Sequence, residues 1–227
     1  MSKKLNNSKR LINKNEIYSP IVAINLLKKT AKAKFKESVE VHIRLSSKYN
    51  SKNQVVRNTV ILPYGTGRIK RIAVITKNKI IAEKAKLSGA NIVGHDNLIK
   101  DISNYQIDFD ILIVEHDSIK DLKNVAKILG PKGLMPNIKS GTISSDIETT
   151  IKEFKNGKIE YKSDSFGIIH TSIGNVSFAE KEIINNLKVL MSSIIKTKPI
   201  NFKGQYINTV SVSSTMGPGI FIDYKSL

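Results

Sequence analysis

Cysteine is absent from the 227 residues, and with it go disulfides, thiolate metal sites and cysteine nucleophiles. Long apolar runs are missing too: no stretch approaches the roughly 18 residues of a membrane span. The start, MSKKLNNSKR, is basic but has no apolar segment, so it does not read as a secretory signal, and it is short for a transit peptide. It is expected to be a solvated basic arm able to touch nucleic acid. Acidic residues are scarce. There are 19 of them against 37 Lys plus Arg, a formal net charge of +18. Such an excess repels itself in a compact chain and makes sense where a polyanion neutralises it.

Catalytic patterns are equally scarce. The four histidines, His42, His95, His116 and His170, show no metal-ligand spacing such as HExxH. No nucleophile elbow and no Walker lysine loop appear. The GTGR of Gly65 to Arg68 has the glycines of a phosphate cradle, but a lone GxG reads better as a turn or hinge. Neither a catalytic residue, a metal site nor a cofactor is expected.

The charge is unevenly spread, which a mere genomic bias toward lysine does not predict. Residues 1–66 carry net +11, residues 67–157 net +4 and residues 158–227 net +3. The patterning divides at the same places. Ser19-Pro20 predicts a helix start, with Ile21, Ile24, Leu27 and Ala31 on its apolar face and Lys28, Lys29 and Lys32 in water. SVEVHIRL then alternates strictly, Val39, Val41, Ile43 and Leu45 against Glu40, His42 and Arg44, and RNTVIL predicts a second strand. After the break at Pro63 to Gly67 the strands IKRIAVIT and DILIVEH have continuous apolar centres, as strands covered on both faces do. Helices are predicted over 80–87 and 119–129, the second stopped by Gly130-Pro131. From Gly157 alternation returns, in KIEYK and GIIHTSI. A helix with Ile183, Leu187, Leu190, Met191 and Ile194 on one face follows, and then QYINTVSVSSTMGPGIFIDY.

The outer thirds read alike and the middle reads differently. The economical architecture is a discontinuous α+β domain of residues 1–66 and 158–227, split β-α-β-like, with a three-layer α/β domain of residues 67–157 inserted. Gly65, Gly67 and Gly157 at the two crossings would then act as one hinge.

Four segments fit nucleic acid. Lys32, Lys34 and Lys36 surround Phe35 just before the first alternating strand; lysines neutralise phosphates and an exposed aromatic stacks on bases, unless Phe35 is core. Thr209, Ser211 and Ser213 line one face of a strand with small hydroxyls, a flat surface for a sugar–phosphate backbone. Met216 beside Gly217 either projects or forms an ordinary turn with a buried side chain. In Gly130 to Asn137, two glycines and two prolines frame Lys132, Gly133, Leu134 and Met135, an exposed contact tip or a tucked one.

LGPKGLMPN followed by KSGTI, together with KAKFKESVEV, TVILPYGTGR, IGNVSF, KGQYI and SSTMGPGI, resembles the ribosomal protein L-one family, bacterial or plastid type, over roughly residues 8 to 223. The resemblance implies a non-enzymatic constituent of the large ribosomal subunit whose outer domain binds the rRNA stalk and whose movement helps deacylated tRNA leave the exit site. It implies repression of its own mRNA as a further role, and a dedicated mRNA repressor acting off the ribosome is the rival reading. The rRNA contacts it implies are Lys34, Phe35, Glu40, Thr215, Met216 and Gly217, with Ser211 and Ser213 beside them. The location implied is the ribosome of a bacterial cytoplasm or a plastid. Asn58, Tyr64, Ile138 and Asn175 depart from the family's usual glycine, histidine, proline and lysine; none lies in SSTMGPG.

Overall fold

The computed structural model describes residues 8–13, 16–46, 55–200 and 202–227; residues 1–7 of the expected basic arm lie outside them. Helices and strands are mixed in several sheets, and the chain divides into two compact units. Met1–Arg68 with Ile159–Leu227 form one, and Ile69–Lys158 form the other.

In the discontinuous unit the elements are α1 (Pro20–Thr30), β1 (Ser38–Leu45), β2 (Arg57–Ile61), β7 (Lys158–Lys162), β8 (Ile168–Asn175), α6 (Glu180–Lys196), β9 (Ile207–Ser214) and β10 (Ile220–Ile222). Four strands form one antiparallel sheet in the order β10-β9-β1-β8, while β2 pairs with β7. Both β8 and β9 run against β1, so they are parallel to each other and joined by α6, with β1 inserted between them. Alternation decides the faces. Val39, Val41, Ile43 and Leu45 are fully buried and pair across the sheet with residues such as Val210 and Val212. They pack, with Ile24 and Leu27 of α1 and Ile183, Leu187 and Leu190 of α6, into one core. The helices cover that face, and the Glu40–His42–Arg44 face is left open.

Two details of α1 differ from the pattern reading. Its buried residues are Pro20, Ala23, Ile24, Leu27 and Thr30, while Ile21 is exposed, so the apolar stripe starts one residue earlier. Lys28, expected in water, donates from Nζ to the Phe178 carbonyl at 2.6 Å. Ser19 sits at the N-cap without a side-chain cap bond, leaving Pro20 to set the helix start.

Asn186 ties α6 to the rest. It is fully buried, accepts from Tyr64 N at 3.1 Å, and donates to the carbonyls of Gly65 at 2.9 Å and Ile173 at 2.8 Å. Its one acceptor and both its donors are used, so the segment after β2 is pinned to β8 through a single side chain. Gly67 follows with φ +69, and a Cβ there would meet the Asn175 side chain and the Phe178 ring. Asn186→Leu strands three polar groups and is expected to lower unfolding free energy by roughly 2–4 kcal/mol. A chemical denaturation midpoint matching wild type would contradict this.

The second unit contains β3 (Ile72–Ile75), α2 (Lys79–Leu87), β4 (Ile92–Gly94), α3 (Asp96–Ser103), β5 (Ile111–Glu115), a 3-10 helix (His116–Asn124), α4 (Ala126–Leu129), β6 (Ile143–Ser144) and α5 (Ile147–Lys155). Its parallel sheet has the order β4-β3-β5-β6. Alternate residues of β3 and β5 enter two cores. Ala73, Ile75, Leu112 and Val114 join Leu98, Ile102 and Leu122 on one face; Ile72, Val74 and Ile113 join Ala85, Ile151 and Phe154 on the other. Helices therefore cover both faces, which explains the continuous apolar runs. The helix expected over 119–129 is instead a 3-10 segment followed by one short α turn.

Candidate RNA-binding surface

Lys34 and Phe35 stand exposed in the loop between α1 and β1, Phe35 at 56%. Thr215 and Met216 stand exposed in the turn after β9, Met216 at 65%. Phe35 and Met216 are thus at the surface, and the buried readings of both are set aside. What joins the two loops is Glu37, a residue not picked out from the sequence. It is 2% exposed. Its Oε1 accepts from Ala33 N at 2.9 Å, and its Oε2 accepts from Ser214 Oγ at 2.7 Å and Met216 N at 3.0 Å. One carboxylate therefore staples the lysine-rich loop to the Met216 turn.

A reciprocal pair reinforces the staple: Ser38 N donates to Thr215 Oγ1 at 3.0 Å and Thr215 N to the Ser38 carbonyl at 3.2 Å. The turn closes with Gly217 N donating to the Ser214 carbonyl at 2.9 Å. A Cβ at Gly217 would collide with Ser214 Oγ, the hydroxyl that Glu37 holds. The missing side chain of Gly217 thus leaves room for a side chain of its own turn.

Desolvation pushes the Glu37 carboxyl up, but the bonds from Ala33, Met216 and Ser214 outweigh it and hold it below its ordinary value of 4.5. A folded value below the unfolded one means the staple contributes in full above the unfolded value. Its contribution is lost as pH falls through the folded one.

Strand register lays out the open face. Glu40 lies opposite Ser213 on β9 and Ser172 on β8; His42 lies between Ser211 and His170; Arg44 lies beside Thr209. Phe221 of β10 extends the His42 row beyond Ser211. Ser211 and Ser213 are half-buried on this face while Val210 and Val212 point into the core. Five of the expected contacts, Lys34, Phe35, Thr215, Met216 and Gly217, share the stapled loops. Glu40, Ser211 and Ser213 share the sheet. Histidines 42 and 170 were not among the expected contacts, since nothing local pairs residues so far apart.

The loop Lys132–Met135 belongs to the other unit. Leu134 packs on the core beside Leu129, and its N–H donates to the Leu129 carbonyl at 3.0 Å, with Gly133 at φ +70 making the turn. Lys132 and Met135 are exposed, Met135 at 37%. The tip is half tucked and half presented. Gly157 has φ +97 and follows α5. Among the described residues no group of three acidic or histidine side chains is placed to hold a metal ion, and no helix is long and apolar enough to cross a membrane.

The model of the Ribosomal protein L1p/L10e family matches residues 27–218. The chain belongs to this family. Large ribosomal subunit protein uL1 of Prochlorococcus marinus (strain MIT 9515) is 45% identical over 210 residues, 92% of this chain and 89% of that protein. The protein of the same name from Synechococcus sp. (strain WH7803) is 44% identical over 219 residues, 96% and 93% of the two. The match starts inside α1 and ends just past Gly217, so it takes in both stapled loops and the whole of the second unit.

Proposed function

We propose that this protein is a structural constituent of the large ribosomal subunit that binds stalk rRNA directly and assists release of deacylated tRNA from the exit site. The discontinuous unit is its RNA-binding domain, the three-layer α/β unit is the insert, and Gly65, Gly67 and Gly157 are its hinge. Repression of its own mRNA uses the same surface, because one RNA shape serves both. Its place is the ribosome of a bacterial cytoplasm or a plastid.

The observation that carries the reading is the staple. An exposed aromatic and an exposed methionine are held on two loops by one buried carboxylate. They stand at the rim of a flat sheet face lined with serine hydroxyls and His42. Exposed apolar side chains set rigidly beside lysines suit RNA, where stacking and backbone contacts are combined. Lys132 and Met135 offer the insert a separate contact, for tRNA or a second stretch of rRNA.

The test is binding of the purified chain to the stalk fragment of large-subunit rRNA across a salt series, with an unrelated hairpin of equal length as control. Affinity is expected to fall on the order of 10³-fold between 50 and 200 mM salt if about six phosphates are neutralised. A strong preference for the stalk fragment is expected to persist throughout. Equal affinity for both RNAs, vanishing together with salt, would leave only the +18 charge at work. Cosedimentation with large subunits then separates a ribosomal constituent from a repressor acting elsewhere.

A further inference from the structure

Two imidazoles meet on the open sheet face. His42 of β1 and His170 of β8 are directly opposite, with their Nδ1 atoms 2.8 Å apart and their rings edge to face at 5.0 Å between centroids. The chain of contacts continues on both sides. His42 Nε2 lies 3.1 Å from Ser213 Oγ, and His170 Nε2 lies 3.5 Å from Asp164 Oδ2.

A bond between two Nδ1 atoms needs one donor and one acceptor, so the two rings cannot both carry a proton there. With both rings neutral, one arrangement satisfies every contact. His170 keeps its hydrogen on Nε2, facing the Asp164 carboxylate, and its Nδ1 accepts from His42 Nδ1. His42 Nε2 then accepts from the Ser213 hydroxyl. One added proton changes this: whether it rests on His42 or on His170, the Nδ1–Nδ1 bond is kept, and His42 Nε2 carries a hydrogen and donates to Ser213 Oγ. The Ser213 hydroxyl hydrogen, no longer spent on His42, is free to point out of the sheet. A single proton thus places a positive charge on the face and turns Ser213 into an outward donor. A second proton would break the 2.8 Å contact.

We propose that His42, His170 and Ser213 form a phosphate-binding site that is loaded by one proton, so that RNA binding takes up a proton from solvent. This rests on the RNA-binding reading of the sheet face given above. The surrounding charges are few. Glu40 and Arg44 flank His42 on β1, and Asp164 stands beside His170 in the turn before β8. The facing strands β9 and β10 carry no titratable group. In the free protein burial lowers the His42 pKa below its ordinary 6.5, the neighbouring His170 adds to this, and Glu40 opposes it. A phosphate arriving on the face favours the charged form and draws the proton in, and the proton belongs to the pair rather than to either ring.

Calorimetric titration of the full chain with the stalk rRNA fragment at pH 7, in two buffers of different ionisation heat, counts the protons taken up. An uptake approaching one proton per complex is expected. No uptake would overturn the proposal, and this measurement needs no variant. In parallel, the affinity of the wild type at constant ionic strength is expected to rise by up to about tenfold per pH unit as pH falls from 8 to 6, the limit for one linked proton. His170→Gln, checked for folding by circular dichroism, is expected to flatten that slope by half or more; a folded variant with the wild-type slope would overturn the proposal. Tight, fragment-selective binding with a flat profile removes the proton site alone. Failure to prefer the stalk fragment over the hairpin at any pH removes the RNA-binding reading, and the proton site with it.

Discussion

Glu37→Ala is expected to lower unfolding free energy by roughly 3–4 kcal/mol, measured by chemical denaturation. The estimate follows from what the carboxylate holds. Ala33 N, Met216 N and Ser214 Oγ all donate to it, and it is almost wholly buried. Truncation removes the acceptor for all three at once, and an unsatisfied buried donor costs about 1–3 kcal/mol. Because the same bonds set the spacing of the two loops, RNA affinity falls too, by at least about tenfold. Glu37→Gln refines the test. An amide keeps the shape but turns an N–H toward at least one of these donors, so its loss of stability is smaller but real. It also removes the titration. The wild type should lose stability as pH falls through the lowered carboxyl pKa, below the ordinary 4.5, and the glutamine variant should lack that component. An alanine variant within 1 kcal/mol of wild type would mean that water replaces the carboxylate and that the loops are held by the Ser38–Thr215 pair alone.

Met216→Asp is expected to weaken binding to stalk rRNA by about 3 kcal/mol, somewhat over 100-fold. The side chain is mostly exposed while its backbone N–H is held by Glu37, so the change acts at the surface. It replaces an apolar contact by a charge facing phosphates, and the two losses add. Exposed substitutions of this kind shift folding free energy by no more than about 0.5 kcal/mol, so the variant should stay folded. Met216→Ala removes only the apolar contact and should lose about 1 kcal/mol. A folded aspartate variant that binds with wild-type affinity would show that the turn does not touch RNA, whatever else the protein does.

Much of the architecture was legible in the chain. The strict alternation of SVEVHIRL told which side of β1 is core, since side chains of a strand alternate by geometry alone. The Ile183, Leu187, Leu190, Met191 and Ile194 stripe told which side of α6 is buried. The continuous apolar runs at β3 and β5 told that both faces of that sheet are covered. What escaped was short or in conflict. Strands β4 and β6 have three and two residues, too few to show a period. Helix α5 did carry a signal that the pattern reading left out: Asp146 caps it by accepting from Thr149 N, and Ile147, Ile151 and Phe154 form its buried face. In Leu134-Met135 two apolar neighbours had to part, because Leu134 follows a left-handed Gly133 onto the core.

Family membership, the excess of positive charge and the facing of the longer strands were determined by the sequence by itself. These depend on composition, on motifs read in order along the chain or on spacing within one element, and none of the three requires knowing which residues meet in space. Tertiary structure alone decided the site's chemistry. Glu37 meets Ser214 across 177 residues, and His42 meets His170 across 128. Which residues stand opposite one another is set by register between distant strands, a property of the whole sheet that no local period encodes. A glutamate inside a lysine-rich run reads as a solvated charge until the turn that brings it two of its three donors is folded against it.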